Sequence, residues 1–210
     1  WMIFTVPLVL WVQKPKATRP NAPLLSGFKE VYHTLVKIKQ HRALVTFLIA
    51  YFFYIDGVHT IYKMAVDFAL SINLESSDLI KAIVIVQFVG FPATIVFSQL
   101  AKKIGTRNGI LFGIFIYFLI CLVGAFISTS THFYILAIAL GLVQGGVQAL
   151  SRSYFAGLIP EGNSAEFFGF YNMFGKFSAI LGPFLVGLTS LLTENSRVSL
   201  FAILILFITG

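Results

Sequence analysis

Apolar residues fall into six blocks along this 210-residue chain, parted by short polar segments. Crossing a bilayer as a helix takes about 20 predominantly apolar residues. Five blocks meet that length, at about Ala43–Leu70, Leu79–Ile104, Gly109–Ser128, Phe133–Phe155 and Phe167–Leu192. A sixth begins near Val198 and is expected to be a truncated span, since it reaches Gly210 while still apolar. Gly90 and Pro92 predict a kink in the second block, and Gly182-Pro183 lie inside the fifth. The opening WMIFTVPLVLWV, residues 1–12, is too short to span, and its charges follow the apolar run instead of preceding it. It reads as the end of a preceding transmembrane helix, with the chain a piece of a longer protein. Residues 13–42 then form a linker that carries a helix. Phe28, Val31, Leu35 and Ile38 recur at helical spacing among Lys29, Glu30, Lys37 and Lys39, which predicts a basic amphipathic helix at the membrane surface.

Polar residues inside the apolar blocks are few, and they cluster. In YFFYIDGVHTIYKMAVD, Tyr51–Asp67, the residues Asp56, His59, Lys63 and Asp67 fall within an arc of about 80° on one helix face. A charge near the bilayer centre costs about 2.5–3.5 kcal/mol on insertion scales, so such a stripe is expected to face a cavity or a partner helix. In the fourth block Gln144, Gln148 and Ser151 share a face, and the fifth holds Asn172 and Lys176. The second has Gln87, the third only Tyr117 and Cys121, and the sixth is apolar from Leu200 to Ile208.

Composition supports the membrane reading: 58% of residues are hydrophobic, 11% are charged and the mean hydropathy is +0.89, where soluble domains carry about 25% charged residues. The net charge of +7 would suggest nucleic acid, but its location argues for topology instead. Lys14, Lys16, Arg19, Lys29, Lys37, Lys39 and Arg42 precede the first span, and Lys102, Lys103 and Arg107 fill the second-to-third connection. Arg152 edges the fourth-to-fifth connection, and the intervening loops are nearly bare of Lys and Arg. Such alternation places the linker and basic loops in the cytoplasm. The protein is therefore expected to be a multi-pass protein of a bacterial cytoplasmic membrane, with no nucleic-acid partner. Cys121 stands alone, no cluster has metal-ligand spacing, and no G-x-x-x-x-G-K-[ST] loop is present. Asp56-Gly57 has no second intramembrane Asp-Gly to complete a protease pair. An enzyme is not expected, and neither is a cofactor.

Polar first and fourth blocks with bland third and sixth ones suggest two three-helix units, each turning its first helix to a central cavity. Inverted three-helix repeats of that kind make up each half of a major facilitator transporter. The loop SQLAKKIGTRNG, Ser98–Gly109, resembles the short G-x-L-A-D-R-x-G-R-K loop of that superfamily through Leu100, Ala101, Lys103, Gly105 and Arg107. Lys102 replaces its Asp, Ser98 its first Gly and Thr106 a basic residue, so the salt bridge of that Asp is not carried over. FFYIDGVHTI and the block from Ala149 to Pro183, ALSRSYFAGLIPEGNSAEFFGFYNMFGKFSAILGP, resemble the autophagy-type vacuolar effluxer family, a branch of the same superfamily. The resemblance implies an all-α membrane protein, here a C-terminal six-helix half-bundle with its last helix truncated. The N-terminal half would be missing, and the surface helix would link the two. It also implies secondary active transport by alternating access. The fungal members' association with amino-acid efflux makes an amino acid one candidate for the small polar solute.

Within that reading the substrate and coupling-ion cavity is expected to take Asp56, His59 and Lys63 from the first span. Gln144 and Gln148 come from the fourth, Asn172 and Lys176 from the fifth, with Tyr54 and Tyr171 as aromatic walls. Asp56 would bind a cation, a proton or a substrate amine with Lys176 as counter-charge; the two also suit a purely structural ion pair. Lys63 and Asp67 suit either the cavity or a solvated rim pair, and His59 either proton coupling or a plain hydrogen bond. Gln144 and Gln148 suit substrate contact or helix–helix adhesion, and Gly141, Gly145 and Gly146 close helix packing. Arg152 and Glu166 flank a connection where they resemble a gate latch, alongside the loop residues Gly105 and Arg107. Rival classes remain: a non-transporting membrane sensor or scaffold, and a channel built on the same bundle.

Overall fold

A computed structural model describes residues 24–71, 74–127, 129–160, 164–193 and 196–210. The helix tail expected over 1–12, the linker over 13–23, the turn at Glu161–Asn163, Glu194 and the Phe28 and Arg197 side chains lie outside the described residues.

The described residues form helices α1 (Leu24–Lys39), α2 (Arg42–Ser71), α3 (Ser76–Ile104), α4 (Thr106–Gly124), α5 (Ser130–Leu158), α6 (Ser164–Ser178), α7 (Leu181–Thr193) and α8 (Ser196–Thr209). Five stretches are long and apolar enough to cross a membrane: α2, α3, α4, α5 and the joined α6–α7 over Ser164–Thr193. α8 has 14 residues. Five helices of spanning length and a shorter apolar sixth are therefore present among the described residues, and the all-helical fold is that of the half-bundle the resemblance implies. α3 and α4 are joined through Gly105 alone, whose φ of +89° is a conformation that costs glycine little. Its N–H caps α3 by donating to Ala101 O at 2.9 Å. Gly105 thus has a structural role in the loop motif, and Arg107 beside it is exposed.

Helix packing follows an exchange rule. α3 lies along α5 and α6–α7 lies along α2; α4 also packs on α5 and α8 on α2, while α4 and α8 touch each other. Swapping the unit α2–α3–α4 with the unit α5–(α6–α7)–α8 maps this set of contacts onto itself, as two related three-helix repeats require. A core from Leu44, Tyr54, Tyr117, Val143, Phe155 and Ile203 runs through the middle. Far from the α3–α4 turn, Asp78 joins the starts of α3 and α5 by accepting from Ser130 Oγ (2.6 Å) and the Tyr134 hydroxyl (2.7 Å). Lys81, which interrupts the charge alternation, pairs with Asp78 at 3.1 Å.

α1 rests on the bundle by part of the face that its apolar spacing predicts, with Thr34 added to it and Leu35 left at its edge. Thr34 and Ile38 are buried and Val31 half-buried against α2 and α6, while Leu35 is 37% exposed. Lys37 bridges to Glu166 of α6 at 2.9 Å.

Candidate functional site

Three helices converge on an open cleft of about 580 Å³. α2 supplies Tyr51 and His59, α5 supplies Gln148 and Arg152, and α6 supplies Asn172 and Lys176. Lys176, Asn172, Arg152 and Gln148 are exposed on this face. Every lining residue lies inside a helix, so the polar groups offered to a ligand are side chains, the backbone N–H groups being used within the helices. Arg152 Nη2 donates to Asn172 Oδ1 at 3.1 Å, fixing the guanidinium across the cleft. One wall is aromatic: Tyr171 stacks on Tyr51 (4.4 Å between centroids) and on Phe155 (4.7 Å).

Behind the cleft lies Asp56, fifteenth of the 30 residues of α2 and 0% exposed. Neither carboxyl oxygen completes a hydrogen bond of ordinary geometry, and His59 Nδ1 is likewise buried without one. Thr60 Oγ1 donates to the Asp56 backbone carbonyl at 2.7 Å instead of to the carboxyl. What faces Asp56 is the start of α7. The Gly182 backbone comes so close that a Cβ there would lie 3.0 Å from Asp56 Oδ1 and overlap Thr60 Oγ1.

α7 begins here because the fifth span is broken. Pro183 has no N–H to give to the carbonyl four residues back, which is Ala179 O, and its ring crowds that carbonyl. The helix stops at Ser178 and restarts at Leu181. Lys63, two turns along α2 from Asp56, donates to the freed Ala179 O at 3.1 Å. α2 thus sets an acidic side chain against the positive N-terminus of one half-helix and a basic one against the carbonyl end of the other. Both signs match the helix dipoles.

Several expected contacts are replaced by others. Asp56 and Lys176 form no ion pair; Lys176 lines the cleft and Asp56 is sealed away from it. Lys63 does not line the cleft and does not pair with Asp67, because the broken helix offers a carbonyl nearer to hand. Gln144 sits one helical turn from Gln148 and lines a different, apolar cavity of about 250 Å³ together with Gln87 and Cys121. Tyr54 is not a cleft wall: it is buried and shares a 2.7 Å hydrogen bond with Ser151, joining α2 to α5. Arg152 and Glu166 are not paired with each other, since Asn172 holds the first and Lys37 the second. His59, Gln148, Tyr171, Asn172 and Lys176 do come together as expected. Tyr51 and Arg152 join them as cleft residues that the spacing did not assign; the aromatic run Tyr51–Tyr54 was the signal for the first.

A model of the family described as vacuole effluxer Atg22 like matches residues 1–210. The chain is 41% identical over 211 residues to an uncharacterized MFS-type transporter, YxiO, of Bacillus subtilis (strain 168), a match covering 100% of this chain and 49% of that protein. It is 30% identical to autophagy-related protein 22-1 of Penicillium rubens, covering 89% of this chain and 36% of the relative. Against autophagy-related protein 22-2 of Aspergillus clavatus the identity is 28%, with 90% and 35% covered. The chain spans about half the length of the first of these relatives and about a third of the other two.

Proposed function

The chain belongs to the vacuole effluxer Atg22-like family, and on that premise we propose that it works as the C-terminal half of a secondary active transporter. The two halves rock about the cleft between α2, α5 and α6, moving a small polar solute by alternating access. An amino acid is the first candidate. The basic segments face the cytoplasm of a bacterial cell, by the excess of Lys and Arg in alternate connections. His59, Gln148, Tyr171, Asn172 and Lys176 line the solute's path. Asp56 carries the coupling proton, with His59 beside it. Gly105 and Arg107 belong to the cytoplasmic loop, and Arg152 and Glu166 exchange partners between access states.

One observation carries this reading: a mid-span carboxyl, fully buried and without a hydrogen-bond partner of ordinary geometry among the described residues, lies behind a polar cleft built from three helices. An intramembrane acid left in that condition is costly, and such residues mark ion and proton pathways. The test is uptake by the full-length protein in proteoliposomes, using an amino-acid panel and an imposed pH gradient. Asp56→Asn is expected to abolish the response to the gradient. Uptake whose rate and pH dependence survive that substitution would refute the assignment of Asp56.

A further inference from the structure

We propose that the cleft recognises its solute as an anion, through a carboxylate received by Arg152 and Lys176. This rests on the transport reading and assigns the chemical class of the solute. The charge of the lining is one-sided: among the described residues it holds Arg152 and Lys176 and contains no Asp or Glu. The two acids nearest in sequence are both out of play. The Asp56 carboxyl oxygens are sealed from the cleft and face Gly182, and Glu166 is held by Lys37 at 2.9 Å. Two cations facing one cleft without a described acid beside them favour a negative ligand and disfavour an amine.

Geometry narrows the class further. Arg152 uses one N–H on Asn172 Oδ1. A guanidinium has five N–H donors in a planar fork, so an edge suited to a two-oxygen, planar partner stays free. Asn172 holds that fork in position. Phosphate sites typically draw on backbone N–H groups at a helix N-terminus or glycine-rich turn; this lining comes from helix interiors, where those groups are already bonded. The carboxylate therefore fits the donors present better than a phosphate does. The stacked pair Tyr51–Tyr171, backed by Phe155, gives a flat wall for the apolar remainder of the solute.

The experiment measures equilibrium binding to the purified full-length protein, by calorimetry and by thermal stabilisation, and is run separately from uptake. Its probes are 3-phenylpropionate, phenylalanine, phenylalaninamide and methyl phosphate. The two carboxylates are expected to bind, with phenylalaninamide at least tenfold weaker and methyl phosphate weaker still. Arg152→Gln and Lys176→Gln are each expected to weaken 3-phenylpropionate at least tenfold while leaving the unfolding temperature of the unliganded protein unchanged. Arg152→Lys, which keeps the charge and loses the fork, is expected to fall between. Phenylalaninamide binding as tightly as the carboxylates, methyl phosphate binding in their place, or no probe binding at millimolar concentration overturns the proposal. So does binding that ignores both substitutions. Carboxylate binding without uptake keeps the assignment and removes transport; uptake of the amide alone keeps transport and removes the assignment.

Discussion

Two interfaces of this bundle occupy equivalent places and are built in opposite ways. α3 packs on α5, and α6–α7 packs on α2; exchanging the two three-helix units carries one pair into the other. The α3–α5 contact is close. Gly141 admits Val86 and Val89, Gly145 admits Thr94, and a Cβ on Gly146 would overlap the Phe97 ring. The α2–α7 contact instead places Asp56, Thr60 and Lys63 against a broken helix. Both second helices carry a proline in mid-course, Pro92 and Pro183, yet α3 runs on through Pro92 while α6–α7 breaks. At Pro183 the freed Ala179 O takes a hydrogen bond from Lys63 of another helix, while near Pro92 the nearest side-chain bond, Thr94 Oγ1 to Gly90 O at 2.7 Å, stays within its own helix. Small residues bring the helices of one interface into close contact, and opposed charges meet two half-helix ends at the other.

That contrast can be broken by substitution. Gly146→Leu drives a side chain into Phe97 and is expected to cost about 3 kcal/mol, read as a lower unfolding midpoint in detergent. Combining it with Phe97→Ala should recover part of the loss, and an unchanged midpoint would mean that the α3–α5 contact is not tight. On the polar side the sign reverses. Asp56→Asn removes a buried charge that no described side chain pairs with, and stability is expected to rise by about 1 kcal/mol even as the response to a pH gradient disappears. A lower midpoint would show that the carboxylate stabilises α7. Lys63→Met leaves Ala179 O without its donor and should cost about 1 kcal/mol, seen as faster amide exchange over residues 180–184; Lys63→Arg should restore slow exchange. The smallest effect is expected at Pro92→Ala, on an exposed position of a continuous helix, within about 0.5 kcal/mol. Pro183→Ala is its counterpart and should slow exchange across 179–183 as the two half-helices join. Equal responses at the two prolines would erase the distinction between the interfaces.

Much of this architecture was legible before any coordinates. The five spans follow from block length and hydropathy, and the stripe on α2 follows from helical spacing. Gly105 follows from a loop too short for any other turn. His59, Gln148, Asn172 and Lys176 were identified as polar residues on apolar helices, where each needs a reason. The pairings were not legible. Asp56 and Lys176 looked like partners because both lie mid-span with opposite charge, yet depth along a helix says nothing of rotation about it. Gln144 and Gln148 share a face in projection, yet one turn sends them to different cavities.

By itself the sequence determined the local properties: which segments are helical and apolar, and at what depth each polar residue lies. Those depend on neighbours a few residues away, and spacing reports them. Only the tertiary structure decided that α7 starts against Asp56, that Lys63 serves Ala179, that Lys37 occupies Glu166, and that Arg152 and Lys176 stand in one cleft with no acid among its described lining residues. These contacts join residues as much as 129 positions apart. They depend on how each helix is turned against its neighbours, which is settled when all the side chains pack together.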